Sequence, residues 1–254
     1  WWAQQFGTPN YAAHGGFCSV NMAAAGMYTI GSAFWEFSEP DWKYTKYFLM
    51  FGVAEDHDSN PIKAGLSRLK SRGARFVSVN PIQTGYSAIA DEWIAITPGT
   101  DGLFILSIVH ELLRAGKVDA DYLARYTNAP YLVINAPGMA DDGLFARDGD
   151  GEAICWDQKK NAPMPAHSKG LKPSLKGEFT LPDGKRARPV FQILAEKYLN
   201  KEYSPAVAAP QTGIPAKTIE RIASDIASVA FEDEVIVEQP WTDWTGRKHL
   251  KMIG

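Results

Sequence analysis

The sequence is poor in cysteine, with two in 254 residues. Cys18 and Cys155 lie far apart and no CxxC occurs, so we expect neither a disulfide framework nor an iron–sulfur or zinc cluster within this chain. No apolar run is long enough to cross a bilayer. The net charge is -3, so charge favours neither a nucleic-acid partner nor an anionic membrane surface, and no nucleic acid is expected.

Three common site motifs are also missing. No G-x-G-x-x-G follows the first predicted strand and no G-x-x-x-x-G-K-[ST] occurs, so an ordinary dinucleotide site or P-loop is not supported. The absence of G-x-S-x-G removes the easiest hydrolase interpretation. The remaining composition, 45% hydrophobic and 22% charged, is typical of a globular protein with one large domain or two small ones.

Short, nearly continuous apolar runs at residues 47–52, 75–79 and 93–96 predict strands of a parallel sheet covered on both faces. Helical spacing with Pro61 at the start and Gly73 at the end predicts a helix between the first two. Another helix is predicted from Leu103 to Ala115. The fold class is therefore α/β: an open, mostly parallel sheet with helices on both faces, as in a Rossmann-like domain.

The three predicted strands end in polar loops at residues 52–60, 80–85 and 97–101. Ligands of open α/β sheets bind beyond the carboxyl ends of the strands, so these loops form the first candidate site. Acids in the first loop repel phosphate but can accept paired hydrogen bonds from ribose hydroxyls or a guanine edge. Asp101 can do the same or cap the following helix. His57 is a candidate general base or metal ligand without a second ligand at suitable spacing, and His110 is expected to be a packing residue.

The character of the chain changes between residues 135 and 188. Asp-Gly turns at 148–149 and 183–184 flank a basic segment at 159–176, which predicts a hairpin insertion with a mobile middle. The lysines there could meet an acidic partner or form a solvated loop. Residues 1–134 and 189–254 would form the α/β domain. The termini, Trp1 and Gly254, indicate a piece of a longer subunit.

Several smaller elements are predicted as well. Ser19 can cap a helix that Gly26 ends, and Asp41 can cap a short helix before the first strand. Cys18 would then lie at a helix N-terminus, which favours the thiolate, or be a small buried residue. Asp119 can cap a further helix. Helices are expected at 190–201 and 213–226, and residues 235–237 form a strand that rejoins the sheet.

Short motifs occur in a fixed order along the chain: NYAAHGGFC at 10–18, DSNPI at 58–62, GARFVSVNP at 73–81, ADEW at 90–93, PGTDG at 98–102 and TGIPA at 212–216. Together they resemble the molybdopterin oxidoreductases of the dimethyl sulfoxide reductase family, over most of the chain except the insertion. The sequence around Cys18 and that of residues 51–58 are most similar to the group of polysulfide reductase and quinone-linked sulfite dehydrogenases.

The resemblance implies molybdenum, or sometimes tungsten, held by two molybdopterin guanine dinucleotides. Cys18 matches the protein ligand of the metal, where a soft thiolate suits the ion, and His14 lies beside it as a further catalytic candidate. The other family positions fall in the three loops. They are Gly52, Glu55 and Asp58 in the first, Asn80 and Pro81 in the second, and Gly99, Thr100 and Asp101 in the third.

The resemblance implies oxo transfer on a sulfur oxyanion such as sulfite. Nitrate, polysulfide or thiosulfate and formate are alternatives, although Ser19 replaces the His that formate dehydrogenases place after the metal ligand. Electrons would pass to an iron–sulfur partner, with a membrane anchor as a further partner and a [4Fe-4S] cluster outside this chain. The location would be cytoplasmic at the inner face of the membrane, or periplasmic. A cofactor-free scaffold is the alternative of another class.

One departure from the family pattern concerns the second loop. The family often has Asp-Pro-Arg where this chain has Asn80-Pro81-Ile82. A charge-assisted contact is lost with the arginine, and Gln83 or Thr84 could substitute for it.

Overall fold

The computed structural model describes residues 1–10, 19–32, 40–53, 62–243 and 246–253. These residues form two units, Trp1–Thr45 and Lys46–Gly254. The larger unit holds the predicted strands and is a mixed α/β structure with open sheets.

The helices of the described residues are α1 (Trp2–Phe6), α2 (Ser19–Thr29), α3 (Ile62–Ser71), α4 (Gly85–Ile89), α5 (Asp101–Arg114), α6 (Ala120–Tyr126), α7 (Val190–Tyr198), α8 (Pro205–Thr212) and α9 (Ala216–Phe231). A 3-10 turn spans Lys201–Tyr203. The strands are β1 (Tyr47–Phe51), β2 (Arg75–Val79), β3 (Glu92–Ile94), β4 (Leu132–Asn135), β5 (Ile154–Asp157), β6 (Ala162–Pro165), β7 (Phe179–Thr180), β8 (Arg186–Pro189), β9 (Ile236–Val237), β10 (Trp241–Thr242), β11 (Lys248–His249) and β12 (Met252–Ile253).

The smaller unit corrects two predictions. Helix α2 continues through Gly26 to Thr29, so that glycine does not end it. A single glycine inside a helix destabilises it by about 1 kcal/mol relative to alanine. The high helix propensity of the three preceding alanines offsets this cost. Asp41 begins a turn, in which its carbonyl accepts from the Thr45 amide at 2.9 Å, and no helix follows before β1.

Strands β1, β2 and β3 form a parallel sheet in that order, as the apolar runs predicted. The third strand is shorter than expected and stops at Ile94. The register places Phe51, Val79 and Ile94 in one row, so all three strands end together. Strand order does not reverse within this three-stranded sheet.

Helices cover both faces of this parallel sheet. Val77 and Val79 join the buried core formed with Phe104 and Ile108 of α5 and with α8 and α9. On the other face, Ser78 Oγ lies 3.1 Å from Ser87 Oγ of α4, and α3 also contacts β2. Alternation along β2 therefore sends successive side chains to two separate helix layers, which explains why its sequence is apolar at Phe76, Val77 and Val79 and not at every second position only.

Charged side chains gather at the amino ends of the strands. Arg75 Nη2 lies 2.8 Å from Glu92 Oε2, and Glu92 also pairs with Arg221 of α9. Arg221 Nη1 is 2.9 Å from Asp225 Oδ2, which accepts a long hydrogen bond from the Tyr47 hydroxyl at 3.5 Å. Burial and the Asp225 charge raise the pKa of Tyr47 to about 12. These ion pairs connect the sheet to α9. They lie at the amino ends of the strands, opposite the carboxyl edge.

Residues 131–189 build an antiparallel structure with its own small core. Strands β4, β8 and β7 pair in that order, and β5 and β6 form a hairpin. Leu132, Ile154 and Ala187 are among the buried residues of this core. The Asp148 and Leu181 turns form as predicted, with Gly184 at φ 85. The predicted boundaries at 135 and 188 fall within β4 and β8, and the division into domains remains a prediction.

The C-terminal third differs from prediction in two places. The predicted strand at 235–237 does not rejoin the parallel sheet, because β9 pairs antiparallel with β12. Helix α8, with Pro210 inside it, was not predicted. Pro210 has no N–H to donate to the Ala206 carbonyl, and packing of Ala208 in the main core offsets this loss. No helix among the described residues is both long and apolar enough to span a membrane.

The main core gives a test of this packing. Phe104 is fully buried and its ring centroid lies 6.0 Å from that of Phe51, whereas the next residue, Ile105, is 45% exposed. Phe104→Ala should lower the free energy of unfolding by about 3–5 kcal/mol, because a large buried side chain leaves a cavity. Ile105→Ala is the matched control and should cost less than about 1 kcal/mol. Equal losses in urea unfolding would contradict the assignment of this core.

Candidate functional site

The candidate site lies along the carboxyl edge of the parallel sheet. Beyond the aligned row, the Gly52 amide donates to Val79 O at 3.0 Å and the Asn80 amide donates to Ile94 O at 3.0 Å. The hydrogen-bond ladder therefore continues for one residue past each of the first two strands. This fixes where the first and second loops leave the sheet.

Asn80 connects these loops through its side chain and its carbonyl. The residue is only 3% exposed, and its side-chain Nδ2 donates to Val53 O at 3.1 Å. The Trp93 indole Nε1 donates to Asn80 O at 3.0 Å. A chain of hydrogen bonds thus runs from β3 through the second loop to the start of the first loop. Sequence reasoning missed Val53 and Trp93 as parts of the site, since neither carries a conspicuous functional group in a loop.

The third loop is held by the segment before α9. The Thr97 amide donates to Thr212 O at 2.8 Å, and Thr100 Oγ1 donates to Thr97 O at 2.7 Å. Gly213 has φ 74, and a Cβ there would lie 3.2 Å from Thr97 Oγ1. A side chain at this position would therefore be strained and crowded. The motif at 212–216 thus supports the third loop by close backbone approach.

Asp101 begins α5, and Thr100 is the residue that caps it. The Thr100 side chain makes no capping hydrogen bond, and Asp101 is partly exposed in the first turn of the helix. The alternative prediction, that Asp101 itself is the cap, is wrong. Its carboxylate instead benefits from the helix dipole and remains accessible at the edge.

Two glycines shape the accessible part of this edge. Gly52 has φ 66 and Gly99 has φ 83, and a Cβ at either would find no atom of the described residues within 4 Å. The missing side chains and the left-handed backbone leave room for a ligand close to the main chain. Pro81 is exposed beside them. The edge therefore combines open space beside two glycine backbones with a partly exposed carboxylate at Asp101.

The structure brings together only part of the predicted set. It positions Gly52, Asn80, Pro81, Gly99, Thr100 and Asp101 along this edge. His14, Cys18, Glu55, His57 and Asp58 lie outside the described residues, so their roles stay predictions. His110 is a buried packing residue as predicted, with Nδ1 2.8 Å from Tyr198 O.

Metal-ligating side chains are scarce among the residues that can be described. No group of three or more His, Cys, Asp and Glu side chains in that part of the chain could hold a metal ion. Cys155 is 1% exposed, and burial raises the pKa of its thiol to about 12. It therefore has neither the access nor the thiolate character of a metal ligand or nucleophile.

Known proteins with similar sequences cover nearly the whole chain. It is 49% identical over 99% of its length to a sulfite dehydrogenase subunit of Allochromatium vinosum, of which it covers 27%. It is 31% identical over half of its length to the thiosulfate reductase molybdopterin-containing subunit PhsA of Salmonella typhimurium, of which it covers 16%. No family model matches the chain.

The fold has a counterpart among solved structures. Acetylene hydratase from Pelobacter acetylenicus matches 90% of this chain with a TM-score of 0.50 and 17% identity, over 22% of its own length. The relatives define the class as molybdopterin oxidoreductases. Within that class, the chain belongs to the dimethyl sulfoxide reductase family. It spans about a quarter of the length of the sulfite dehydrogenase subunit that it matches.

Asn80 yields a prediction with a defined pH dependence. Asn80→Asp replaces the donor to Val53 O by a buried carboxylate, whose folded-state pKa is then raised above the ordinary value of about 3.9. Below the unfolded pKa the protonated acid can still donate to that carbonyl. Stability is lost as pH rises through the folded pKa, by about 1–3 kcal/mol. Thermal unfolding of variant and wild type from pH 4 to 8 measures this difference.

Gln83→Glu is the matched control for that experiment. It adds the same charge to an exposed position in the same loop. The control should track the wild type at every pH. A pH-independent loss in Asn80→Asp, or an equal loss in both variants, would contradict the hydrogen bond from Asn80 to Val53.

The burial of Cys155 provides a second test, of its exclusion as a reactive thiol. Because its pKa is raised to about 12, almost no thiolate exists at pH 8. We expect iodoacetamide to leave Cys155 unmodified in the native chain and to alkylate it after denaturation. Peptide mass spectrometry before and after addition of denaturant measures both states. Rapid labelling of native Cys155 would contradict its burial.

Proposed function

We propose that this chain is the nucleotide-binding part of a molybdenum oxidoreductase catalytic subunit that oxidises sulfite. The observation that carries the proposal is the 49% identity over 99% of the chain to the sulfite dehydrogenase subunit of Allochromatium vinosum. A match of this extent includes the motif containing Cys18, the three strand-end loops and the antiparallel region. In this proposal the larger unit is a Rossmann-like domain.

The carboxyl edge suits the guanine dinucleotide of the proposed cofactor. Gly52 and Gly99 leave backbone accessible, and Asp101 can accept two parallel hydrogen bonds from guanine N1 and N2. Amides at the start of α5 can donate to a nearby phosphate. Asn80 would serve mainly to position the loop that contains Glu55 and Asp58, since its Nδ2 is already bonded to Val53 O. Bis-molybdopterin guanine dinucleotide therefore fits the residues present.

Cys18 would hold the metal and His14 would lie at the catalytic centre. When bound, the cofactor would supply the oxygen-atom transfer and the two-electron redox change. The protein's task is to position the cofactor, to hold the substrate and to exclude competing reactions. Overall, sulfite and one water molecule give sulfate, two protons and two electrons, so an acceptor must take the two electrons. An iron–sulfur subunit is the proposed acceptor, in a complex at the inner face of the membrane.

The decisive experiment uses the full-length subunit in its native complex. Cys18→Ala should lose the metal and sulfite-dependent reduction of an artificial acceptor, while Cys155→Ala should retain both, because Cys155 is buried outside the strand-end edge. Molybdenum and tungsten are measured by mass spectrometry, and guanine nucleotide after acid release. Nitrate, thiosulfate, polysulfide and formate are assayed in parallel.

The outcomes separate the competing proposals. If the holoprotein turns over nitrate or thiosulfate but not sulfite, the proposed cofactor stands and the proposed substrate is wrong. A wild-type subunit without metal or nucleotide, or a Cys18→Ala variant with both and full activity, would overturn the proposed site.

A further inference from the structure

A second concave region lies away from the strand-end edge, and we call it the basic groove. It is formed by the C-terminal end of α5, by α6 and α7, and by residues 166–176, with Asp243 and Arg247 at its rim. Its volume is about 1070 Å³, enough for about two turns of an α-helix with side chains. None of the candidate cofactor residues lines it.

The wall and floor of the basic groove carry apolar side chains. Leu113, Val118, Phe191 and Leu199 line it, and Leu199 is 44% exposed. Leu171 adds a further apolar group from residues 166–176. Such a surface gains free energy when a partner's apolar side chains cover it.

The rim of the groove is cationic in a chain whose net charge is -3. Five basic side chains line it, against two acids, Asp121 and Asp243. Asp243 is already engaged, since its Oδ2 lies 2.8 Å from His249 Nε2 and its Oδ1 accepts from the Arg247 amide at 2.9 Å. The basic residues are Arg125, Lys169, Lys172, Lys176 and Arg247.

These five cations have no ion-pair partner among the residues that the structure describes. By contrast, Lys70, Arg114, Lys185 and Arg221 each pair with a carboxylate. Cations that form no ion pair and lie beside apolar side chains attract a segment that supplies carboxylates.

The lysine-bearing wall is fixed by hydrogen bonds to the β5–β6 hairpin. The Lys172 amide donates to Asp157 Oδ1 at 3.0 Å, and the Ser174 amide donates to Trp156 O at 2.9 Å. Lys159 Nζ donates to Gly170 O at 3.1 Å. Because the backbone of this wall is already held, a partner would not have to order it, which reduces the entropic cost of binding.

We propose that the basic groove binds an acidic, partly apolar segment of another polypeptide in the multi-subunit complex. This inference rests on the proposed function, which supplies the complex. The apolar floor would take the segment's hydrophobic side chains, and the lysines would pair with its carboxylates. The lining does not favour nucleic acid, because a charged phosphate backbone would leave its apolar side chains without an apolar partner.

The test is zero-length carbodiimide cross-linking of the native complex, which joins lysine amines directly to carboxylates. We expect Lys169, Lys172 or Lys176 to be linked to Asp or Glu of a different chain. The triple variant K169E/K172E/K176E of the full-length subunit should bind its purified partner about tenfold more weakly at low salt, with the difference shrinking at high salt. The control K201E/K217E/K248E reverses three exposed lysines outside the groove and should bind normally.

Metal content and sulfite oxidation with an artificial acceptor should be unchanged in both triple variants. A wild-type protein without metal and without sulfite oxidation would overturn the proposed function. Triple variants that keep both properties show that a change in partner binding comes from the groove alone. Links only to carboxylates of the subunit's own polypeptide, no links from the three lysines, or unchanged partner affinity in the groove variant would overturn the inference. A subunit that purifies from its native source without any partner would overturn it too.

Discussion

The alignment of three parallel strands is the constraint on which the candidate site depends. Phe51, Val79 and Ile94 share a row, and the ladder continues from Gly52 to Val79 and from Asn80 to Ile94. A slip of one residue in any strand would move its following loop by about 3.3 Å and turn the core-facing side chains of that strand to the other helix layer. Packing against helix layers on both faces of the sheet therefore fixes the strand register, and the register fixes where the following loops begin.

The positions of β1 and β2 could be predicted from the sequence because both strands consist largely of apolar residues, whereas β3 ends earlier than predicted. Residues 76–79 of β2 are buried, and three of these four residues are apolar, which is the signal that the sequence carries. The cap at Asp119 was also predictable, since its side chain accepts from the Tyr122 amide at 2.8 Å over three residues. Local chemistry of this kind leaves a local signal.

The remaining features depend on contacts between distant parts of the chain. Strand β9 consists of Ile236 and Val237, and two apolar residues carry no information about whether the parallel sheet or β12 will be their neighbour. Helix α8 is short and contains Pro210, so packing on α5 and α9 determines it more than propensity does. The bond from Asn80 to Val53 joins residues 27 positions apart.

Helix α5 relates the candidate site to the basic groove. Asp101 begins the helix at the strand-end edge, and Leu113 near its other end lines the groove. Its 14 residues rise about 21 Å, so the two regions are separated by the length of one buried helix. Phe104 and Ile108 hold the helix against the sheet. A partner in the groove would therefore be anchored at a fixed distance from the site without touching it. It could affect catalysis only by shifting α5 or through other parts of the partner that reach the site.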